Sequence, residues 1–317
     1  MSPESEIIAC VTGATGLIGR RIVERLRSKS RHIRVLTRGD KPENQNISVY
    51  RGGLENENIL RSFLHKATHL FHCAAEMNDV SKIWAVNVHG TERLFKLASE
   101  AQIKYFCFMS SAGVIGRTSC KFVTERVTCN PSNAYERSKW AAEKIVQQGI
   151  PHCRIVIIRP TNVVADEAPG ALCLPMRSSI SDYLKVFLKG GECAHIVNAS
   201  DVADAVIHLE SHAGIHPSCF FVSCDHEPLN TYAGLWDLYK AMERDQSVQK
   251  ISSVVHLPII VPFFLRRIFK GAGSLGNVRY SSEKLLSTGF RYRLGIEGTV
   301  RRIVSIRRSV GNENIKC

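Results

Sequence analysis

The sequence is short of the features that mark a secreted, disulfide-built or membrane-spanning protein. Its 11 cysteines are an odd number and include no CxxC pair. That argues against a disulfide framework and against a zinc site, so no metal is expected. Cys10, Cys73 and Cys107 fall inside predicted strands, where cysteine behaves as a small hydrophobe. The opening residues MSPESE have neither the basic start nor the apolar run of a signal peptide. The longest apolar stretch, Val254 to Leu265, is too short to span a bilayer and contains Pro258 and Pro262. A cytoplasmic protein with no transmembrane segment is expected.

Acidic residues are also scarce. Against 42 Lys and Arg stand 29 Asp and Glu, a formal charge of +13. Such an excess suits an anionic substrate and cofactor, a membrane surface or nucleic acid, or simply a solvated basic surface. The basic pairs Arg266-Arg267, Arg301-Arg302 and Arg307-Arg308 come late, and no aromatic-interleaved nucleic-acid motif accompanies them. No nucleic-acid partner is expected. A peripheral membrane contact is left open.

The 317 residues, 44% hydrophobic and 22% charged, suffice for one large α/β unit with a smaller lobe. Apolar runs alternate with helix-period segments through the first half. Strands are predicted at Ile7–Thr12, Ile33–Thr37, Ile47–Arg51, His69–Cys73, Tyr105–Ser110 and Arg154–Arg159. Helices are predicted at Leu17–Arg27, Val86–Ala101 and Ala134–Gln148. Continuous apolar strands alternating with helices imply a parallel, doubly wound sheet. After Asn162 the rhythm breaks, with Pro169, Gly170, Pro175 and Gly190-Gly191 in close succession. A strand at His195–Asn198 and a helix at Ser200–Glu210 follow, and 222–308 reads as mostly helical and irregular.

Two motifs carry chemistry. Thr12-Gly13-Ala14-Thr15-Gly16-Leu17-Ile18-Gly19 follows the first strand and opens the first helix. There Gly13 permits a tight turn, Gly16 lets the backbone approach a pyrophosphate, and Gly19 lets the helix pack closely. The helix amino end favours the anion. The second motif is Tyr135 and Lys139, four residues apart in AYERSK, with Ser111 placed 24 residues before the tyrosine. One helical turn puts Tyr135 and Lys139 on the same face. A tyrosine of ordinary pKa near 10 needs nearby positive charge to act as an acid–base group.

This ordered set resembles the extended short-chain dehydrogenase/reductase family of NAD(P)-dependent epimerases and dehydratases, over nearly the whole chain. The resemblance implies a Rossmann domain over 1–163 plus about 195–221. It implies a smaller, mostly helical substrate lobe over about 164–194 and 222–317. It makes Tyr135 the proton donor, Lys139 the group that lowers its pKa, and Ser111 the residue that orients the substrate oxygen. Alignment of SSAGVIG on Gly116 selects Ser111 over Ser110. Contacts to the cofactor are implied for Gly13, Thr15, Gly16, Leu17, Ile18, Leu54, Ala74, Ala75, Pro160 and Val163, besides Tyr135 and Lys139.

Several positions refine the expectation. Arg38 ends the second strand where an acidic residue would select NAD. A guanidinium suits a 2′-phosphate, so NADP(H) is preferred, with NAD(H) open and Asp40 as a second ribose candidate. The family's Gly-Asp-Leu stands here as Gly52-Gly53-Leu54, so only backbone contact near Leu54 carries over. Asn87 in NVHGT is expected to be structural. Ala112 and Gly113 replace the acid–base groups of dehydratases and keto-adjacent epimerases. Carbonyl reduction, alcohol oxidation and 4-epimerisation remain.

Asn162, Glu76 and Arg177 are the substrate-binding candidates. Glu76 alternatively caps a loop, and Ser200-Asp201 reads first as a helix cap. The tail from Tyr280 to Gly298 resembles that of nucleotide-sugar epimerases and reductases. The preferred expectation is an NADP-dependent reductase of a 4-keto nucleoside-diphosphate sugar. Its alternatives are a 4-epimerase with retained NAD(P), a hydroxysteroid- or dihydroflavonol-type ketone reductase, and a non-enzymatic NADP-binding redox sensor or structural subunit. The family resemblance further implies a homodimer.

Overall fold

The computed structural model describes residues 7–29, 31–39, 46–167, 174–176, 179–212, 214, 216–244, 255–270 and 276–310. The first half alternates as the apolar runs require. β1 (Ile8–Thr12), α1 (Leu17–Ser28), β2 (His32–Thr37) and β3 (Ile47–Arg51) come first. Next are α2 (Glu57–Leu64), β4 (His69–His72), α3 (Val80–Trp84), α4 (Gly90–Glu100) and β5 (Tyr105–Met109). β6 (Phe122–Val123), α5 (Ala134–Val146), β7 (Arg154–Pro160) and β8 (Asn162–Val164) follow, then α6 (Ile180–Lys189), β9 (Ile196–Asn198), α7 (Ala199–His212) and β10 (Ser218–Val222). The remainder holds α8 (Tyr232–Glu243), α9 (Ile260–Lys270), β11 (Arg279–Tyr280), α10 (Glu283–Leu286) and α11 (Gly295–Val310).

Seven strands form one sheet in the order β10-β7-β5-β4-β1-β2-β3. The pairings of β1 with β2 and β4, β2 with β3, and β5 with β4 and β7 are parallel. Every residue of β4 and β5 is buried, as strands covered by helices on both faces must be. The order reverses between β1 and β4, and a crevice at the carboxyl ends of the strands is the expected ligand site of such a sheet. On one face Leu60, Phe63, Leu94, Phe95, Phe106 and Ile157 share a buried cluster. Each such side chain contributes on the order of 2 kcal/mol of transfer free energy.

Two features differ from the sequence expectation. α2 had no predicted counterpart, although Asn56 caps it by accepting from the Ile59 N–H at 3.1 Å and Leu60, Phe63 and Leu64 bury one face. The predicted helix over Val86–Ala101 begins instead as a π-helical turn, Ala85–His89, between α3 and α4. That turn holds Asn87, whose side chain is bonded outside the helix, and a π turn is a common accommodation at such sites.

The chain divides into two compact units. One comprises Met1–Gly116, Cys129–Arg159 and Val202–Phe220; the other comprises Arg117–Thr128, Pro160–Asp201 and Phe221–Cys317. In the second unit β6 pairs with β11 and β8 with β9, both in parallel. Asp201 does cap a helix there, but not its own. Its carboxylate accepts from the N–H groups of Arg293 (3.2 Å), Leu294 (3.0 Å) and Gly295 (3.0 Å) at the start of α11. The expected strand at His195–Asn198 starts one residue late, because His195 takes a left-handed φ of 55°.

Candidate functional site

The first unit assembles the glycine turn, its floor and the tyrosine helix. After β1 the chain reverses at Gly13, whose φ is 67°. A Cβ on Gly13 would stand 2.6 Å from the Ala74 nitrogen, and one on Gly19 would stand 2.1 Å from the Gly13 carbonyl oxygen. Backbone contact this close excludes any side chain at either position. Gly16 donates its N–H to the Gly13 carbonyl at 3.0 Å and begins α1. No side chain caps that helix start, and its first turn holds no acidic residue. Thr15 and Gly16 are exposed, and Leu17 and Ile18 are half-buried. The result is an open cradle of partial positive charge that fits a pyrophosphate.

Beneath the turn, Thr12 accepts the Ala74 N–H at 3.2 Å and meets His72 Nδ1 at 2.7 Å. His72 Nε2 meets the Thr91 hydroxyl at 2.9 Å, and Thr91 donates to the Asn87 carbonyl at 2.6 Å. With the Thr91 proton committed, Nε2–H must donate to Thr91, and Nδ1 accepts from Thr12. Burial, reinforced by the charge of Lys139, pushes His72 down to about 3, so the ring is neutral.

α5 starts at a capping box in which Asn133 accepts the Glu136 N–H at 2.8 Å and Glu136 Oε2 accepts the Asn133 N–H at 3.3 Å. Tyr135, Lys139 and Glu143 then recur every fourth residue. Ser138, between them, donates to the Tyr135 carbonyl at 2.7 Å and accepts from the Asn87 amide at 2.9 Å. Asn87 also holds the Glu76 main chain, accepting its N–H at 2.7 Å and donating to its carbonyl at 2.8 Å.

Lys139 is buried, its Nζ 4.4 Å from the Phe108 ring centroid. Burial lowers its pKa to about 8, against the opposing charges of Cys73 and Glu143. Tyr135 moves opposite to expectation: burial pushes the phenol up to about 12. Desolvation is the only cause of that rise; the charge of Lys139 does not enter it. Behind Lys139, Glu143 accepts from Arg159 at 3.0 and 2.6 Å and from the Ser110 hydroxyl, and Arg159 also donates to Cys129 Sγ at 3.3 Å. Nothing in the sequence pattern had singled out Glu143; only its spacing of four from Lys139 hinted at it.

Ser111 precedes a 3₁₀ turn, Ala112–Ile115, and its Oγ accepts the Gly113 N–H at 3.1 Å. The hydroxyl keeps a proton that it can donate elsewhere. Gly113 is wedged between Ser111 and the first turn of α5. A Cβ there would meet Glu136 Cγ at 3.1 Å and Ser111 Oγ at 3.2 Å.

The remaining expected residues fall as follows. Arg38 is exposed just beyond β2, with Lys82 in electrostatic reach. Leu54 is buried against Gly90, and its carbonyl accepts from Arg93 at 2.8 Å. The carboxylate of Glu55 folds over Gly53, 2.2 Å from where a Cβ would stand; it occupies space that the sequence had left without an acid. Ala74 is half-buried and Ala75 exposed. Glu76 is a loop cap: Oε1 accepts the N–H groups of Met77, Asn78 and Asp79 at 3.0, 3.0 and 3.2 Å.

In the second unit Pro160 is buried, Val163 half-buried, and exposed Asn162 donates its amide to the Ala194 carbonyl at 2.8 Å. Arg177 and Asp40 lie outside the described residues. Also in that unit, unanticipated from sequence, His195 Nδ1 meets buried Asp225 at 2.6 Å.

Fold and site together define an NAD(P)-dependent enzyme of the short-chain dehydrogenase/reductase type. The chain belongs to the NAD dependent epimerase/dehydratase family, whose profile matches residues 9–220. Sterol demethylase protein B of Methylococcus capsulatus is 26% identical over 68% of this chain and 69% of its own length. UDP-glucose 4-epimerase of Vibrio cholerae is 26% identical over 68% and 70%. The chain matches only 13% of a third relative, the nonribosomal peptide synthetase acrB of Aspergillus aculeatus, at 29% identity over 53% of this chain. A short-chain dehydrogenase/reductase superfamily protein from Agrobacterium tumefaciens, solved with bound NAD, shares the fold with a TM-score of 0.74. It is 21% identical, and the match covers 96% of this chain and 98% of that one.

Proposed function

We propose that this protein is an NADP(H)-dependent reductase acting on the 4-keto group of a nucleoside-diphosphate sugar. The observation that carries the reading is the protonated, half-buried Tyr135 in the first turn of α5, the turn that packs on Gly113 next to Ser111, with Gly113 offering no acid. A phenol held near 12 keeps its proton at neutral pH, which suits donation in the reductive direction.

When bound, NADPH supplies the hydride. Tyr135 gives its proton to the carbonyl oxygen, so that C=O becomes CH–OH. Ser111 donates a hydrogen bond to the same oxygen and holds it in line. Lys139, still largely cationic below its pKa of about 8, stabilises the tyrosinate left behind until solvent reprotonates it. The exposed position of Arg38 supports a contact to a 2′-phosphate. The nucleotide-sugar assignment draws on the relative named UDP-glucose 4-epimerase.

A second reading, reduction of an apolar ketone, draws on the sterol demethylase relative, whose identity and coverage are nearly equal. The test is NADPH oxidation followed at the nicotinamide absorbance, with 4-keto-6-deoxy nucleotide sugars and sterol ketones side by side, for wild type and Tyr135→Phe. Stoichiometric oxidation on a sugar, lost in the variant, is expected. Turnover confined to sterol ketones overturns the substrate, activity surviving in Tyr135→Phe overturns the mechanism, and a preference for NADH that Arg38→Ser leaves unchanged overturns the cofactor.

A further inference from the structure

α6 and α9, both in the second unit, are helices with too much apolar surface. α6 buries Val186 against Ala233 and Trp236 of α8. A helix with one buried face is expected to turn polar residues outward. Instead Ile180, Leu184 and Leu188 recur every fourth residue on the outside, Ile180 being 89% and Leu184 54% exposed. α9 repeats the pattern with Ile260, Phe264 and Ile268, of which Ile268 is 73% exposed. The segment leading into α9 runs along the end of α6: Leu257 donates its N–H to the Phe187 carbonyl at 2.8 Å, and a Cβ on Gly191 would touch Ile259 at 3.1 Å.

The charges on these helices have one sign. The single acid of α6, Asp182, is buried and paired with Lys185 at 3.5 Å. Residues 255–270 contain no Asp or Glu, while Arg266, Arg267 and Lys270 follow the apolar run. Among the described side chains the exposed cations are therefore Lys189 and Arg267, with half-buried Lys185 beside them and no exposed acid on either helix. Paired apolar stripes bordered only by cations match the interface of an anionic bilayer. No helix among the described residues is long and apolar enough to cross a membrane, so the contact lies in the surface plane.

We infer that the α6–α9 face seats the protein on an anionic lipid surface, with Ile180, Leu184, Ile260, Phe264 and Ile268 entering the headgroup–acyl boundary and the basic residues meeting lipid phosphates. The inference is independent of the substrate assigned above.

Co-sedimentation of the full chain with phosphatidylcholine–phosphatidylserine vesicles, against vesicles of phosphatidylcholine alone, tests it. Binding to the anionic vesicles that weakens with salt is expected, with about a tenfold or greater loss in Leu184→Asp/Phe264→Asp. A second variant, Lys189→Glu/Arg267→Glu, should lose the salt-sensitive part. Both alter exposed side chains, and unchanged thermal melts would confirm that each is folded. Absence of wild-type binding to anionic vesicles overturns the inference, as does equal binding by the folded variants. Sedimentation velocity identifies a second copy as the occupant if an oligomer dissociates in the apolar variant while vesicles go unbound; that result also overturns it.

Discussion

The Lys139 ammonium lies over the face of Phe108, 4.4 Å from the ring centroid, in the interior beside Cys73. The ring offers partial compensation for lost water, yet the pKa still falls to about 8 from 10.5. Below pH 8 the folded state therefore carries a buried cation at a cost on the order of 3 kcal/mol. Between pH 8 and 10.5 the folded state binds fewer protons than the unfolded chain, so stability rises with pH there. Lys139→Met should accordingly be more stable than wild type at pH 7, by an increment that shrinks towards pH 10, while losing catalysis. Urea melts at the two pH values check the sign.

Glu143 and Arg159 form an almost fully buried pair, with Nη2 to Oε2 at 2.6 Å. Removing one partner strands the other charge. Glu143→Leu and Arg159→Met should each cost about 3–5 kcal/mol, whereas Glu143→Leu/Arg159→Met should cost markedly less than the sum. A double-mutant cycle by chemical denaturation measures the difference. Additive losses would contradict the pairing.

His72 is neutral when folded and titrates near 3 rather than 6.5. Its low folded pKa means that the unfolded chain takes up the proton first as pH falls. Stability is lost from about pH 6.5 downward, approaching 1.4 kcal/mol per pH unit well below the unfolded pKa. His69, lowered to about 4 by burial, adds a similar loss. His72→Gln should be less stable at pH 7 but have a shallower acid slope between pH 6 and 4. Melts across that range separate the two effects.

Glycines 19 and 39 make a controlled comparison. A Cβ at Gly19 collides with backbone at 2.1 Å, while one at Gly39 meets nothing within 4 Å. Gly19→Ala should lose at least 1–3 kcal/mol, about the usual overpacking cost, and weaken dinucleotide binding with the altered turn. Gly39→Ala should change neither. Thermal melts and cofactor titration by nicotinamide fluorescence provide the readouts.

Residue order alone determined the strands, because apolar runs such as Tyr105–Met109 cannot face water. It determined the turn at Gly13 and the shared face of Tyr135 and Lys139, since helical periodicity is local. It did not reach the partners brought together from afar. Asp201 capped a helix more than ninety residues away, and His72 joined Thr12 to Thr91. Glu143 on α5 met Arg159 on β7 only in the folded interior, where both are almost fully buried. The direction of the Tyr135 shift was also tertiary: the spacing to Lys139 led to the expectation of a lowered pKa, but burial alone raised it. Local geometry follows from the order of residues, whereas desolvation and long-range pairing depend on which surfaces the fold brings into contact.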